Sequence, residues 1–226
     1  MLSGADIVSP PRDWRFEIPR ELVGSRLLAN NGLLVLSGCI APAVVARLSD
    51  EAASVRPEST RSLVEVSDGT EGRGGGPARA FRSASGGPVH WSLHASRELV
   101  DALGALCGVT LVATGGGTYS YYDQPGDHLA LHRDVIACDV ATITCLAGAE
   151  DFSSGGLLVY PSSLDKPLSQ VRSEGRAAGM PVPLGRGDTA VLLGGVVPHE
   201  VTPMAGVERI VAVMCYRITS SDETST

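Results

Sequence analysis

The stretch Tyr122-Asp-Gln-Pro-Gly-Asp-His-Leu-Ala-Leu-His-Arg-Asp134 decides how the rest of this sequence is interpreted. It ends with a histidine and an aspartate two positions apart. Alternate side chains of a β-strand point to the same side, so His132 and Asp134 would share one face of a sheet. Two histidines and one carboxylate on one face of the ion are the usual ligands of non-haem iron(II), with the other positions left open. The pattern therefore predicts two of three metal ligands.

The third ligand has to come from elsewhere, and His199 is the best-placed candidate. The chain contains five histidines, which are His90, His94, His128, His132 and His199. His199 follows the apolar run Thr189-Ala-Val-Leu-Leu193, which is typical of a strand, and it can point back towards His132. An isolated His-x-Asp tripeptide is weak evidence, and a histidine beside Pro198 could simply cap a loop. The combination is more specific, and it predicts His132, Asp134 and His199 as the metal-binding and catalytic residues.

Three segments also resemble a known family. Residues 122–134 resemble the Y-x-P-G-D-x-L-x-x-H-x-D signature of iron(II)/2-oxoglutarate-dependent dioxygenases of the prolyl-hydroxylase-like and phytanoyl-CoA-hydroxylase-like kind, with one extra residue after the tyrosine. Gly155-Gly-Leu-Leu-Val-Tyr160 resembles the Gly-Gly-x-Leu strand of that superfamily. Gly187-Asp-Thr-Ala-Val-Leu-Leu193, followed by Pro198-His-Glu-Val201, resembles its Gly-Asp strand and distal histidine. The resemblance covers roughly residues 110–217.

This resemblance implies a fold and a set of cofactors. The fold would be mainly β with flanking helices, around a double-stranded β-helix core of the jelly-roll, cupin-like type. The cofactor would be Fe(II), with 2-oxoglutarate and O2 as co-substrates. Arg209 lies beyond His199, where these enzymes place the basic residue that binds the C5 carboxylate of 2-oxoglutarate. A guanidinium suits that role because it can donate two parallel hydrogen bonds to a carboxylate.

The second anchor of 2-oxoglutarate stays open at this point. The superfamily often has a tyrosine three positions before the first ligand, but this chain has Leu129 there. The candidates are Tyr119, Tyr121, Tyr122 and Thr142. Strand alternation puts Ser120 and Tyr122 on one face and Tyr119 and Tyr121 on the other. Alignment of the signature favours Tyr122, so the predicted co-substrate-binding residues are Arg209, Tyr122 and Thr142.

The chain of 226 residues fits a single domain. Residues 1–108 would hold an N-terminal arm, helices and a glycine-rich loop, residues 109–218 the jelly-roll core, and residues 219–226 a disordered tail. Helices are predicted over Pro42–Ser54 and Ser96–Cys107, where apolar residues recur at helical spacing. The run Gly72-Arg-Gly-Gly-Gly-Pro77 predicts a mobile loop, which could be an active-site lid or a tolerated surface insertion.

Composition narrows the possible partners and the compartment. A formal net charge of −7 argues against nucleic acid as a partner, because an acidic surface repels phosphate. Five scattered cysteines without a Cys-x-x-Cys pair indicate reduced thiols in a cytoplasmic protein. The N-terminal sequence lacks the apolar segment of a secretory signal, and no apolar run is long enough to span a membrane. The sequence makes no prediction of oligomeric state.

The favoured function is oxidation, by hydroxylation or a related reaction, of a C–H bond in a small molecule such as an amino acid or specialised metabolite. A carboxylate at Asp134 favours hydroxylase-like chemistry, since halogenating relatives replace it by a small residue. A protein or peptidyl prolyl hydroxylase is the main alternative; a nucleic-acid dealkylase and a non-catalytic metal-binding barrel are less favoured. Arg79, Arg82, His90 and Trp91 are candidates for lining the substrate pocket, His128 shares strand parity with His132, and Arg133 should point away from the metal.

Overall fold

The computed structural model describes residue 22 and residues 24–115, 117–148 and 152–219. Within these ranges the helices are α1 (Arg26–Ala29), α2 (Pro42–Val55), α3 (Pro88–His94), α4 (Arg97–Cys107) and α5 (Leu168–Glu174). The strands are β1 (Leu33–Leu36), β2 (Thr60–Val64), β3 (Arg79–Ser85), β4 (Thr110–Ala113), β5 (Thr118–Tyr122), β6 (His128–His132), β7 (Val140–Ala147), β8 (Leu157–Val159), β9 (Met180–Val182), β10 (Thr189–Leu192), β11 (His199–Val201) and β12 (Arg209–Thr219). Most of the predicted arm and tail lies outside the described residues.

The strands form one curled antiparallel sheet in the order β1-β10-β7-β12-β5-β3-β6-β11-β8-β9, with β2 paired to β3 and β4 paired to β12. Strand β3 joins the two halves of this order. Its first residue, Arg79, is opposite Leu129 of β6, and Arg82 is opposite Tyr121 of β5. The prediction of a mainly β fold with a curled double-stranded β-helix core and flanking helices is confirmed.

Strand β5 shows how alternation separates the two faces of the sheet. The hydroxyls of Tyr119 and Tyr121 point towards α2, where they donate to Glu51 Oε1 at 2.8 Å and to the Ala52 carbonyl oxygen at 2.7 Å. Ser120 and Tyr122 therefore face the opposite side, as the sequence predicts. We call the side that carries Ser120 and Tyr122 the concave face and the side covered by α2 the helical face.

Helix α4 covers another part of the helical face. Ser96 caps its first turn by accepting the N–H of Leu99 at 3.2 Å, and Gly108 ends it with a positive φ of 72°. Leu103 and Cys107 are buried in the main apolar cluster, which also contains residues of β7, β10 and β12. The amphipathic pattern of residues 96–107 thus produces the helix that the sequence predicts. None of the described helices is long and apolar enough to cross a membrane.

The glycine-rich loop between β2 and β3 has many internal and external hydrogen bonds. Asp68 accepts the backbone N–H groups of Thr70 at 2.9 Å and Gly76 at 2.6 Å. Arg73 leaves the loop to donate to the carbonyl oxygens of residues 134–136 and 138 and to Asp139 Oδ1 at 2.7 Å. The sequence predicted a mobile loop from its glycines, but it did not anticipate that Arg73 ties this loop to the segment after Asp134.

The prediction that all cysteines are reduced is wrong in this structure. Cys138, just before β7, forms a disulfide with Cys215 of β12, with 5.0 Å between their Cα atoms. Cys39, Cys107 and Cys145 are free thiols. The two bonded residues lie 77 positions apart, so sequence spacing gave no sign of the pairing. The cytoplasmic expectation loses the support that it drew from reduced cysteines.

We expect removal of this disulfide to destabilise the fold, because it closes a long loop in the unfolded chain. The double variant Cys138→Ser/Cys215→Ser should lower the free energy of unfolding by about 2–4 kcal/mol in denaturant titrations. The matched control is Cys39→Ser, which changes an exposed thiol and should leave stability within about 0.5 kcal/mol. Free Cys138 and Cys215 in non-reduced, alkylated protein would contradict the pairing.

Candidate metal centre

Strand pairing brings the three predicted metal ligands together. His132 ends β6, His199 begins β11, and the two residues are direct cross-strand partners. Asp134 follows His132 by two positions, and its Oδ1 lies 3.6 Å from His132 Nε2 and 3.5 Å from His199 Nε2. One ligand atom from each residue lies within 4.8 Å of the others. This spacing allows all three atoms to contact a single ion.

Each imidazole ring is oriented by a nearby backbone carbonyl oxygen. The Nδ1 atom of His132 lies 2.9 Å from the Ala130 carbonyl oxygen, and Nδ1 of His199 lies 2.9 Å from the Val197 carbonyl oxygen. A carbonyl oxygen can only accept, so each bond requires the hydrogen on Nδ1. In the neutral rings, the Nε2 lone pairs then face the carboxylate. A ligand histidine held through its second nitrogen is the usual arrangement in metal sites.

Asp134 has a carboxylate oxygen suited to a cation. Its Oδ2 is buried and has no hydrogen-bond partner among the described residues, although a buried carboxylate oxygen normally has one. Burial alone would raise the pKa of Asp134, but His199 and His132 outweigh burial and hold that pKa well below its ordinary value. The carboxyl group is therefore ionised at neutral pH, and the arrangement fits a bound divalent metal.

The pKa values of the two imidazoles move in opposite directions. Burial lowers the pKa of both rings, and for His132 the neighbouring His199 lowers it further. The Asp134 carboxylate reverses the effect at His199, whose pKa is raised. A cation between the three groups would take over the role of the proton that Asp134 stabilises on His199.

Gly194 makes room for Asp134. Its carbonyl oxygen accepts the Asp134 N–H at 2.8 Å, so the two backbones run in contact. A Cβ at position 194 would overlap Asp134 Oδ2. The close approach of Asp134 therefore requires glycine at position 194. Arg73 holds the same segment from the other side, with its Nε 3.3 Å from the Asp134 carbonyl oxygen.

Two other predictions concern neighbours of His132. Arg133 points away from the cluster, as predicted, and is almost fully buried while donating to several carbonyl oxygens, including that of Val196 at 2.9 Å. His128 does not reach the cluster. The register between β6 and β11 shifts so that Leu129, not His128, shares the concave face with His132. Such a bulge reverses the side to which the earlier residues point.

The triad opens into a cavity of about 220 Å³ on the concave face. Its polar or charged lining residues are Thr118, Ser120, Tyr122, His132, Asp134, His199 and Arg209. Its apolar lining residues are Phe81, Leu129, Ala141, Ile143, Leu157, Val201, Val211 and Val213. Of these lining residues, the sequence predicted five as site residues, which are Tyr122, His132, Asp134, His199 and Arg209. The apolar wall was not predicted, because it is assembled from strands that are distant in sequence.

Arg209 is a buried cation inside this cavity. It is the first residue of β12, directly opposite Tyr122 of β5, and its exposed fraction is 4%. Its Nε is buried without a hydrogen-bond partner, and no carboxylate of the described residues pairs with it. Burial lowers the pKa of Arg209, whereas burial raises the pKa of Tyr122, which therefore keeps its proton at neutral pH. Together they offer a charged and a neutral donor to an anion.

The structure does not bring Thr142 to the site, which corrects its prediction as a co-substrate anchor. Its neighbours Ala141 and Ile143 line the metal cavity, so alternation turns Thr142 to the helical face. There it lines a second cavity beside Leu99 and Leu103 of α4.

His90 and Trp91, which were candidates for lining the substrate pocket, do not line the metal cavity. His90 is fully buried on the helical face, where its Nε2 lies 3.1 Å from the Val213 carbonyl oxygen. Trp91 packs against His94 of the same helix, α3. Arg82 bonds Ser59 on that face. No sequence pattern predicted α3, so these side chains could not be placed from the sequence.

Comparison with solved structures identifies similar folds. The epimerase SnoN, described as non-heme and alpha ketoglutarate dependent, matches with a TM-score of 0.63 and 15% identity over 89% of this chain and 84% of its own. HygX from Streptomyces hygroscopicus, with nickel, 2-oxoglutarate and hygromycin B bound, gives 0.62 and 14% over 89% and 88%. A Pseudomonas putida prolyl-4-hydroxylase gives 0.59 and 20% over 88% and 100%.

Sequence comparisons add no relative. No protein-family model matches the chain, and no curated protein matches it. At these identities the structural matches establish the fold, while the residues of the site come from this chain alone. The chain has the fold of the iron/2-oxoglutarate-dependent oxygenases, as the signature over residues 122–134 predicts.

Proposed function

We propose that this protein is an iron(II)- and 2-oxoglutarate-dependent oxygenase that hydroxylates or otherwise oxidises a C–H bond of a small molecule. One observation carries the proposal. The His132–Asp134–His199 cluster and the unpaired guanidinium of Arg209 open into the same cavity of about 220 Å³. A metal site alone would fit many functions. A buried guanidinium beside it favours a second ligand that is an anion.

Each residue has a distinct role in this account. His132, Asp134 and His199 would hold Fe(II) and leave open positions towards the cavity. Arg209 would bind the C5 carboxylate of 2-oxoglutarate, and Tyr122 would add a neutral hydroxyl donor. When bound, Fe(II) would supply the oxidising chemistry with O2 and 2-oxoglutarate as co-substrates. The apolar wall would exclude water from the reacting groups, which strengthens the electrostatic contacts inside.

Small-molecule oxidation is the favoured assignment, and prolyl hydroxylation is the alternative. SnoN is named from nogalamycin biosynthesis, and HygX carries bound hygromycin B, so two proteins of similar fold are connected with small molecules. The similar prolyl-4-hydroxylase supports the alternative, since this chain covers its whole length. The presence of Asp134 supports hydroxylase-like chemistry because it occupies the position that halogenation would need for a halide.

The fit of Asp134 against Gly194 can be tested by adding a methyl group at position 194. The Gly194→Ala variant should lower the affinity for Fe(II) by roughly 10- to 100-fold, because the added methyl group displaces the Asp134 carboxylate. Anaerobic metal titration measures the change, and thermal melting of the metal-free protein checks the fold. The matched control is Gly115→Ala, since a Cβ there would meet no atom within 4 Å. Equal metal affinity in both variants would contradict the role of Gly194.

The role of Arg209 can be tested by measuring the binding of 2-oxoglutarate. Anaerobic addition of 2-oxoglutarate to the Fe(II)-loaded protein should give a weak visible charge-transfer band. Arg209→Gln should raise the Kd for 2-oxoglutarate by roughly 10- to 100-fold, the cost of charge-assisted hydrogen bonds. Arg186→Gln, at a position outside the cavity lining, is the control and should not change the Kd. The absence of the band, with no succinate formed in uncoupled turnover, would overturn the proposed function.

A further inference from the structure

The concave face extends beyond the metal cavity onto β3. Val201 of β11 is opposite Leu129 of β6, and Leu129 is opposite Arg79 of β3. Direct cross-strand partners project from the same face, and neighbouring strands are about 5 Å apart. Val201 and Leu129 line the metal cavity. Arg79 is therefore the next residue in a row whose first two members form the cavity wall.

The alternation of β3 supports the same placement. Phe81, two positions after Arg79, lines the cavity and stacks on Tyr122 with 5.2 Å between ring centroids. Residues two apart in a strand share a face, so Arg79 and Phe81 project together. Arg82 projects to the helical face instead, where its guanidinium bonds Ser59.

The head group of Arg79 is held beside the end of the glycine-rich loop. Its Nε donates to Ser62 Oγ at 2.7 Å, and its Nη1 donates to the Pro77 carbonyl oxygen at 3.2 Å. Pro77 and His132 line the same groove under the glycine-rich loop. The guanidinium is thus fixed on the side of the cavity rim where the loop approaches His132, and it keeps donors that these two bonds do not use.

Arg79 lacks the acidic partner that several other half-buried arginines of this acidic protein have. Arg56, Arg61 and Arg73 form ion pairs with Asp123, Asp127 and Asp139. Arg79 is half-buried, yet no carboxylate of the described residues lies within ion-pair distance of it. Partly desolvated cations are usually paired. The chain has a net charge of −7, so it does not lack acids that could have supplied a partner.

We propose that Arg79 binds an anionic oxygen group, a carboxylate or a phosphate, of the primary substrate at the rim of the metal cavity. The substrate class would then be a small anion with an apolar body, because the cavity-lining neighbours of Arg79 along β3, β6 and β11 are the apolar residues Phe81, Leu129 and Val201. Arg79 would fix the anion, and the apolar body would extend towards His132 and His199. This inference rests on the proposed function and adds the chemical class of its substrate.

The test compares anions with neutral analogues of the same shape. The probes are phenylacetate, phenylacetamide and benzyl phosphate, with hexanoate, hexanamide and hexyl phosphate as a second set. Isothermal titration calorimetry gives each Kd for protein saturated with Zn(II) and 2-oxoglutarate, so that Arg209 is already occupied. The proteins are the wild type, Arg79→Gln and the matched control Arg82→Gln, which changes an arginine of the same strand on the opposite face. Thermal melting of each protein checks its folding.

The wild type and Arg82→Gln should bind an anion at least about 10-fold more tightly than its amide, and Arg79→Gln should bind both about equally. A preference for the carboxylates indicates an organic acid as substrate, and a preference for the phosphates indicates a phosphate ester. The inference is overturned if no anion binds more tightly than its amide, if Arg79→Gln keeps the preference for the anion, or if Arg82→Gln loses that preference as well. The separate 2-oxoglutarate titration with Arg209→Gln shows whether any failure belongs to the proposed function instead.

Discussion

The direct pairing of His132 with His199 across two antiparallel strands is the constraint on which the site depends. Cross-strand partners share a face, so backbone pairing alone places these two side chains next to each other although they are far apart in sequence. Each ring is then oriented by the backbone carbonyl oxygen two positions earlier in the chain. Asp134 completes the cluster because the backbone of Gly194 lies close enough to accept its N–H. The geometry is thus set mainly by backbone pairing.

The two faces of the curled sheet have different roles, because one packs against helices and the other lines the cavity. The helical face carries Tyr119, Tyr121 and Thr142, which pack towards α2 and α4 and stabilise the fold. The concave face carries Tyr122 and Arg209, which line the metal cavity. A shift by one position moves a side chain from one role to the other. This division explains why neighbouring arginines of β3 face different surroundings and why one serves as the control for the other.

Strand alternation accounts for both the successes and the failures of prediction from sequence. The shared face of His132 and Asp134 and the orientation of Tyr122 follow from period-two spacing alone. Thr142 fails by the same rule, because its cavity-lining neighbours Ala141 and Ile143 place it on the other face. His128 fails because a bulge interrupts the alternation, and nothing in residues 128–132 marks its position.

Contacts between distant segments could not be predicted from the sequence. The Cys138–Cys215 disulfide, the hold of Arg73 on the segment after Asp134 and the row from Val201 to Arg79 all depend on strand register. Register is decided by the packing of the whole sheet, and no local pattern encodes it. The resemblance to the family predicted the candidate metal ligands and Arg209, because a family signature reflects contacts between distant segments indirectly.

An anaerobic crystal structure with Fe(II) and 2-oxoglutarate tests the central claim most directly. The account predicts one iron ion bonded to Nε2 of His132, Nε2 of His199 and a carboxylate oxygen of Asp134, with 2-oxoglutarate bridging from the iron to Arg209. It also predicts that both Nδ1 atoms keep their bonds to the Ala130 and Val197 carbonyl oxygens. Iron bound at other residues, or 2-oxoglutarate lying away from Arg209, would contradict it.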